Sequence, residues 1–381
     1  MGVLVLSLTW MVRLYTVYTI LNQALLIPWY RVAMGDGANL HLLYCIGGKK
    51  MKRLQGVVLG MVCVAMVTFG ALGTSGAKTL KWKMSSCLNS ENLFTLHAKD
   101  WAKRVEAKTD GRIKITVFDS EQLGSERETL EQMKIHALQC GIQSNSSLTM
   151  FGKSQVMYNL PYLFTSLDQC VAFSRTEEAK MLAEMFEKES GIKIIGLFPE
   201  GFRHIMNATR AIESPADLKG MKIRVMENPT HIASMNAMGA TGTPISWGEV
   251  ITSIQTKVID GFENSIPTLA SVKAWEFQDY LSLTTHFYDA SFVVMDMKVW
   301  NELSPEDQKL VMEASDEATE NSIRLIKEYT KNDLETIKSN GVKVSEPDLK
   351  PFQELVKPVY EDFYKKFPEL KPVVEKAISL Q

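Results

Sequence analysis

The sequence carries no motif for hydrolytic, phosphoryl-transfer or hydride chemistry. GxSxG, GxxxxGK[ST], HExxH and GxGxxG are all absent from its 381 residues. Cysteine is scarce. There are five in all, and only Cys87, Cys140 and Cys170 lie beyond residue 77. An odd number without CxxC spacing excludes a zinc cluster and a disulfide framework; one disulfide at most is possible, and small buried side chains are the expectation. The histidines beyond residue 77 are His97, His136, His204, His231 and His286, and none has metal-ligand spacing or an evident nucleophile partner. Neither a metal nor a cofactor is therefore expected. A large charge of one sign is missing too, since 42 basic against 44 acidic residues leave a net charge of -2. Nothing in that balance calls for nucleic acid or an anionic membrane surface. Repeats and low-complexity tracts are likewise absent.

What is present is a globular composition with 45% hydrophobic residues and length for two domains, each with its own core. Residues 51–77, "MKRLQGVVLGMVCVAMVTFGALGTSGA", have the three parts of a secretory signal: Lys52 and Arg53, an apolar run from Val57 to Phe69, and small residues before Lys78. The run is shorter than the roughly 20 residues of a spanning helix. A cleaved signal and a periplasmic mature chain from Lys78 are expected. Signals do not normally follow an extension, so residues 1–50 are read as a start-site artefact, with "GGKK" before Met51 fitting a ribosome-binding site. The rival is a first membrane segment in "LYTVYTILNQALLIPWY".

Beyond residue 77, strand and helix patterns alternate. Leu80, Trp82 and Met84 alternate as a strand; Phe94, Ala98, Trp101 and Val105 mark a helix; "RIKITVF" is a second strand. Ser125 followed by Glu128 has capping-box spacing. The pattern predicts one long helix over about 167–189, a buried strand in "GIKIIGLF", a strand in "KIRVM", helices near 229–238 and 247–256, and a strand in "SFVVMDMKVW". Ser304 to Gly341 reads as a helix of about 36 residues, some 54 Å if unbroken, that bridges two domains or breaks once. Strand–helix alternation implies an α/β fold with parallel strands, whose ligands sit at the carboxyl ends of strands.

Three residues have that placement. Arg203 follows the strand predicted to end at Phe198, Arg224 lies within "KIRVM", and Asn264 closes another strand in "GFENS". A guanidinium can grip a carboxylate bidentately, as lysine cannot. The other reading of each arginine is a solvated surface charge. Glu126 and Glu128, like Glu306 and Asp307, read as helix-cap or solvated carboxylates.

The phrases "QLGSERETLEQMKIHALQ", "NLPYLFTS", "GFRHIMNATRAIESPADLKGMKIRV", "MGATGTPISWGEVITSIQTKVIDGFENS" and "ELSPEDQKLV", in this order, resemble the extracytoplasmic solute-binding proteins of TRAP transporters, the DctP type. The resemblance runs from about Lys78 to the C-terminus. It implies an α/β fold of two lobes, with an interlobe cleft and a long bridging helix: lobe one from 78–200 and 289–324, lobe two from 201–288 and 325–381. It implies that Arg224 forms the salt bridge to a ligand carboxylate, that Arg203 and Asn264 add polar contacts, and that Trp247 packs on the ligand. Glu126, Ser144 and Asn145 are weaker carry-overs from lobe one. In sialate binders of that family the first-lobe loop is acidic where Ser144 and Asn145 stand here, which argues against a sialate. A sugar acid, C4-dicarboxylate, keto acid or aromatic acid remains open. The expected protein is a monomeric, non-enzymatic binding subunit that closes over a small carboxylate and delivers it to small and large membrane permease subunits. An ABC-type binding protein, a sensor domain and a secreted hydrolase are the alternatives.

Overall fold

Two strands far longer than their sequence patterns predict organise the molecule. The structure, a computed structural model, describes residues 79–381. The signal peptide and the start-site reading fall in residues 1–77 and lie outside the described residues. The nine strands are β1 Leu80–Ser85, β2 Ile113–Phe118, β3 Cys140–Ser144, β4 Ile192–Asn207, β5 Lys222–Val225, β6 Thr241–Pro244, β7 Gly261–Ser265, β8 Tyr280–Asp296 and β9 Lys343–Ser345. The helices are α1 Leu93–Lys108, α2 Glu126–Lys134, α3 Asn145–Leu148, α4 Leu167–Ser174, α5 Glu177–Ser190, α6 Pro229–Met238, α7 Val250–Gln255, α8 Ile266–Ser271, α9 Met297–Asn301, α10 Pro305–Ser339, α11 Lys350–Leu355, α12 Lys357–Lys366 and α13 Lys371–Ile378.

All strands belong to one sheet in the order β2-β1-β3-β8-β4-β7-β5-β6, with β9 beside β8. The long pair β4 and β8 runs antiparallel through the middle, from Ile192 opposite Asp296 to Asn207 opposite Tyr280. One end of the pair carries β3 on β8, and the other carries β7 on β4. The sheet therefore has two halves, or lobes, that share only the crossing strands. Three register shifts interrupt the pair, including one between Pro199 and Gly201 and one between Arg203 and Ile205. Such bulges bend a strand and loosen its ladder, and the Pro199/Gly201 shift falls midway along β4. Gly201 has φ +112, a region that costs a side-chain-bearing residue more than it costs glycine.

The expectation of a parallel sheet is corrected. The outer pairs β1–β2, β1–β3, β5–β6 and β5–β7 are parallel, whereas β3–β8, β4–β7 and β4–β8 are antiparallel. Chain segments that return through the centre must enter from the opposite direction. The long helix expected over 167–189 is two helices: Ser174 ends the first, and Thr176 caps the second by accepting from the Ala179 N–H. The shared hydrophobic spacing hid that break.

The 35-residue α10 is unbroken and spans about 52 Å. Ser304 caps it and Pro305 opens it, as its sequence predicts. Val311, Ala314, Ala318 and Ile326 join the core beneath β1 and β3, while Ile337 joins the core around β7 and α8. One helix thus touches both lobes. Its small residues let it lie close to β4: a Cβ on Gly196 would collide with the Ser315 hydroxyl. On the opposite face, one continuous core runs from α2, α4 and α5 to α6 and the C-terminal helices. The tail is tied to the 161–169 stretch, with Tyr360 donating to the Pro161 carbonyl and Gln169 donating to the Ala377 carbonyl.

Among the described residues Cys87, Cys140 and Cys170 are free thiols, and Cys140 and Cys170 are buried. No described helix is long and apolar enough to cross a membrane, and no group of His, Cys, Asp and Glu among the described residues is arranged to hold a metal.

Candidate ligand-binding site

Arg224 sits in β5, a short strand whose neighbours β6 and β7 cover it on both sides. Its side chain is 2% exposed. Nε donates to the Ile245 carbonyl at 2.8 Å, and the terminal nitrogens have no acidic partner among the described residues. The guanidinium lies 5.8 Å from the centre of the Trp247 ring. Burial lowers its pKa to about 10, against a partial pull upward from Glu263. A buried guanidinium without a paired carboxylate is expensive to hold, and the expense falls when an anion arrives.

Arg203 is in the opposite condition. It lies within β4, not after a strand that ends at Phe198, because β4 continues to Asn207. Nε donates to Glu263, Nη1 donates to Asp289 and, at 3.2 Å, to Asn264 Oδ1, and Nη2 donates to Glu263 Oε1 at 2.9 Å and to the Glu263 carbonyl at 2.8 Å. All five N–H donors are thus engaged within the protein. Burial opposes its charge, but Glu263 and Asp289 more than compensate and hold its pKa above the ordinary value. In the other direction, burial would raise Glu263, and Arg203 with His286 drives it far below the carboxylate range. Asn264 is the fourth residue of β7 rather than a loop residue. Its Oδ1 accepts from Arg203 and from the Ser265 N–H at 2.8 Å, which fixes the direction of its amide.

The wall facing Arg224 comes from lobe one. Glu126, in the first turn of α2, is neither a cap nor a solvated charge. It accepts from the Ser144 N–H at 2.6 Å, the Ser144 hydroxyl at 3.0 Å and the Ser147 hydroxyl at 2.8 Å. Burial raises its pKa and these donors partly offset the rise. Ser144 is the N-cap of α3, so one residue both starts that turn and locks the carboxylate. Asn145 is buried, donates to the Gln155 carbonyl at 2.9 Å, and keeps Oδ1 without a partner. Glu128, by contrast, is the capping-box partner of Ser125, as its spacing predicts.

Glu126, Ser146, Ser147, Arg127 and Glu121 from one lobe meet Arg224, Met226, Ser246 and Trp247 from the other around a cavity of ≈ 20 Å³. That is room for about one water. The lobes also touch directly. Glu121 lies close against Gly248, where an added Cβ would strike its carboxylate. His231 of α6 places Nε2 3.0 Å from both the Ser146 hydroxyl and Asn159 Oδ1, and Asn228 donates to the Thr149 hydroxyl at 3.1 Å. Burial lowers the His231 pKa to about 3, so the ring is neutral at pH 7.

Sequence reasoning missed Glu263, Asp289, His286, His231 and Glu121. Glu263 and Asp289 sit at alternating positions of ordinary strands. Nothing local shows that a strand carboxylate has an arginine 60 or more residues away as its partner. The "GFENS" run shows no such signal for Glu263, which stands between Phe262 and the polar Asn264; that the strand is buried at every position appears only in the structure.

The arrangement can bind an anion at Arg224 and present acceptors to donors on the far side. The chain as a whole is similar to known binding proteins. The model of the bacterial extracellular solute-binding proteins, family 7, matches residues 84–366. A solute-binding protein of Chromohalobacter salexigens is 30% identical over 277 residues, 72% of this chain and 82% of its own. A TRAP periplasmic solute-binding protein of Roseobacter denitrificans, solved with β-D-glucuronate, superposes with a TM-score of 0.76 at 26% identity, over 79% of this chain and 100% of that one. A second from the same organism, solved with L-galactonate, gives a TM-score of 0.74 at 29% identity, over 79% and 99%.

Proposed function

The chain belongs to family 7 of the bacterial extracellular solute-binding proteins, the binding subunits of TRAP transporters, and from that premise we propose that it captures a sugar acid in the cleft between its lobes. The single observation that carries this reading is the buried Arg224, whose terminal nitrogens lack an acidic partner among the described residues. A ligand carboxylate supplies the missing charge. Asn264 adds an amide, Trp247 covers the ligand, and Arg203 acts one step removed by fixing the Asn264 amide. On the other side Glu126, with Ser144 and Asn145 behind it, accepts from hydroxyls. A hydroxylated monocarboxylate suits this pairing of one cation with an acceptor wall, and the glucuronate- and galactonate-bound relatives hold acids of that kind.

The ≈ 20 Å³ left in the cavity is too small for such a ligand, so the lobes part to admit it and turn about β4 and β8. The lobes are residues 78–200 with 289–324, and 201–288 with 325–381. Acting as a periplasmic monomer, the protein binds without turnover and passes its ligand to the small and large permease subunits.

A second reading has one observation in its favour. Arg127 is exposed at the cavity mouth and could receive a second carboxylate, as in a C4-dicarboxylate. Titration calorimetry with D-glucuronate, L-galactonate and succinate separates the two. Sugar-acid binding by the native chain, lost by about 2–5 kcal/mol in Arg224→Ala and less so in Arg224→Lys, is the expected result. Unchanged affinity in Arg224→Ala removes the anchor.

A further inference from the structure

The loop from β2 to α2 holds a strained pair of residues at the edge of the Arg224 cleft. Ser120 and Glu121 have φ +52 and +56, two consecutive left-handed residues that are not glycine. Such backbone is costly, persists only where its surroundings enforce it, and collects at functional sites. Here the Ser120 N–H donates to the Leu88 carbonyl at 2.9 Å and the Glu121 N–H to the Ser86 carbonyl at 3.3 Å. The loop so fixed brings Glu121 to lobe two. Its half-buried carboxylate lies against Gly248 and lines the same cavity as Arg224, Glu126 and Trp247.

Glu121 and Glu126 differ in what holds them. The Ser144 N–H and the hydroxyls of Ser144 and Ser147 hold Glu126 from its own lobe. No side-chain donor among the described residues holds Glu121. Burial raises the Glu121 pKa and the Glu126 charge adds to the rise, so two like charges already oppose each other along one wall.

The remaining charges around the cavity do not relieve them. Exposed Arg127 and exposed Glu227 stand at its edge with opposite signs. Arg203 is committed to two carboxylates, Glu263 and Asp289. Arg224 is left, and one ligand carboxylate occupies it. A second carboxylate on the same ligand would meet Glu121 and Glu126 with no buried cation to receive it. The repulsion grows as the lobes close, because closure seats Glu121 on the Trp247–Gly248 turn and removes water from the carboxylates. A hydroxyl in the same place donates to Glu121 instead.

We propose that Glu121 is a specificity-determining residue that restricts the cleft to acids with a single negative charge. With Glu126 it accepts from the hydroxyls of a monoacid, and it opposes closure over a diacid. The inference rests on the sugar-acid reading of the cleft and narrows it.

The test uses two acids that differ at one end, L-galactonate and galactarate, whose terminal CH2OH and carboxylate are exchanged. Both are titrated by calorimetry into the full mature chain at pH 8, where the free acids are ionised, with D-glucuronate as a second monoacid. Galactarate should bind about 100-fold more weakly than L-galactonate. Glu121→Gln, which keeps the shape of the side chain, should narrow that gap about tenfold by strengthening galactarate. Arg127→Gln, at an exposed position, should change the gap by less than about threefold. Equal binding of the two acids by the native chain, or a gap that Glu121→Gln leaves unchanged, would overturn the selector while the sugar-acid reading stands. So would a loss of both acids by the same factor in Glu121→Gln, which is what a purely structural lobe contact predicts. Failure of both L-galactonate and D-glucuronate to bind the native chain would overturn the sugar-acid reading, and the selector with it.

Discussion

Two arginines of similar burial play opposite parts, and the difference lies in what surrounds each guanidinium. Arg203 completes a charge cluster with Glu263 and Asp289. Removing it leaves two buried carboxylates uncompensated, so Arg203→Met should cost about 3–5 kcal/mol of unfolding free energy in urea titrations. Arg224 has no such partner, and its pKa of about 10 against an ordinary 12.5 corresponds to strain on the order of 3 kcal/mol at neutral pH. Arg224→Met should therefore raise the stability of the ligand-free protein while abolishing binding. A variant that binds nothing yet melts later would mark Arg224 as a functional residue rather than a structural one. The histidines set the acid limit. Burial lowers His97 to about 4 and His204 and His231 to about 3, from an ordinary 6.5. Each is neutral when folded and takes up a proton first when unfolded, so the unfolded state binds more protons below pH 6.5. Their stabilising share is complete above pH 6.5 and is lost as the pH falls toward 4 and 3. Glu200, raised by burial, works in the opposite sense above its ordinary range. Glu121, Glu126, Asp289 and Asp333, also raised by burial, add to that opposition, so the histidine share is read as a difference: between pH 6.5 and 4 the native chain should lose more urea stability than His231→Gln loses.

Among the elements, the packing of α10 on β4 carries the greatest constraint. The helix was legible from Ser304, Pro305 and Gly341 because caps and period are local signals. Its partner was not: β4 and β8 read as short strands, since their middles carry Pro199, Glu200, His204 and Asp289, residues that seldom fill a strand interior. The long antiparallel pairing, not local propensity, keeps these residues extended. Gly196→Ala tests the contact. Its methyl group would meet Ser315 Oγ and push α10 off the strand, costing about 1–3 kcal/mol. The double variant Gly196→Ala with Ser315→Ala should recover part of the loss in thermal unfolding.

For the whole molecule the question is how two lobes hold together before a ligand arrives. His231, Asn228 and Glu121 each reach across to the other lobe. These contacts contribute to closure without a ligand, so any ligand needs only to add the difference. His231→Ala should remove the cross-lobe contact to Ser146 and Asn159, which stay bonded to each other, and shift the ligand-free population toward the open form. The expected signs are a larger radius of gyration in solution scattering and a weaker apparent affinity, with the fully liganded radius unchanged. Equal radii for the native and variant chains would show that the cross-lobe contacts do not govern closure.

The sequence by itself determined the strand–helix alternation that opens the described chain, the capped starts of α2 and α10, the scarcity of catalytic and metal motifs, and the strand placement of Arg224 and Asn264. These follow from caps, spacing and composition, which operate over a few residues. Tertiary structure alone decided which arginine was committed and which was free. That depends on Glu263 and Asp289, 60 and 86 residues from Arg203, and on a central strand pair whose length neither strand could specify alone. Charge pairing acts through space, and the chain must fold before it knows which partner each buried guanidinium has.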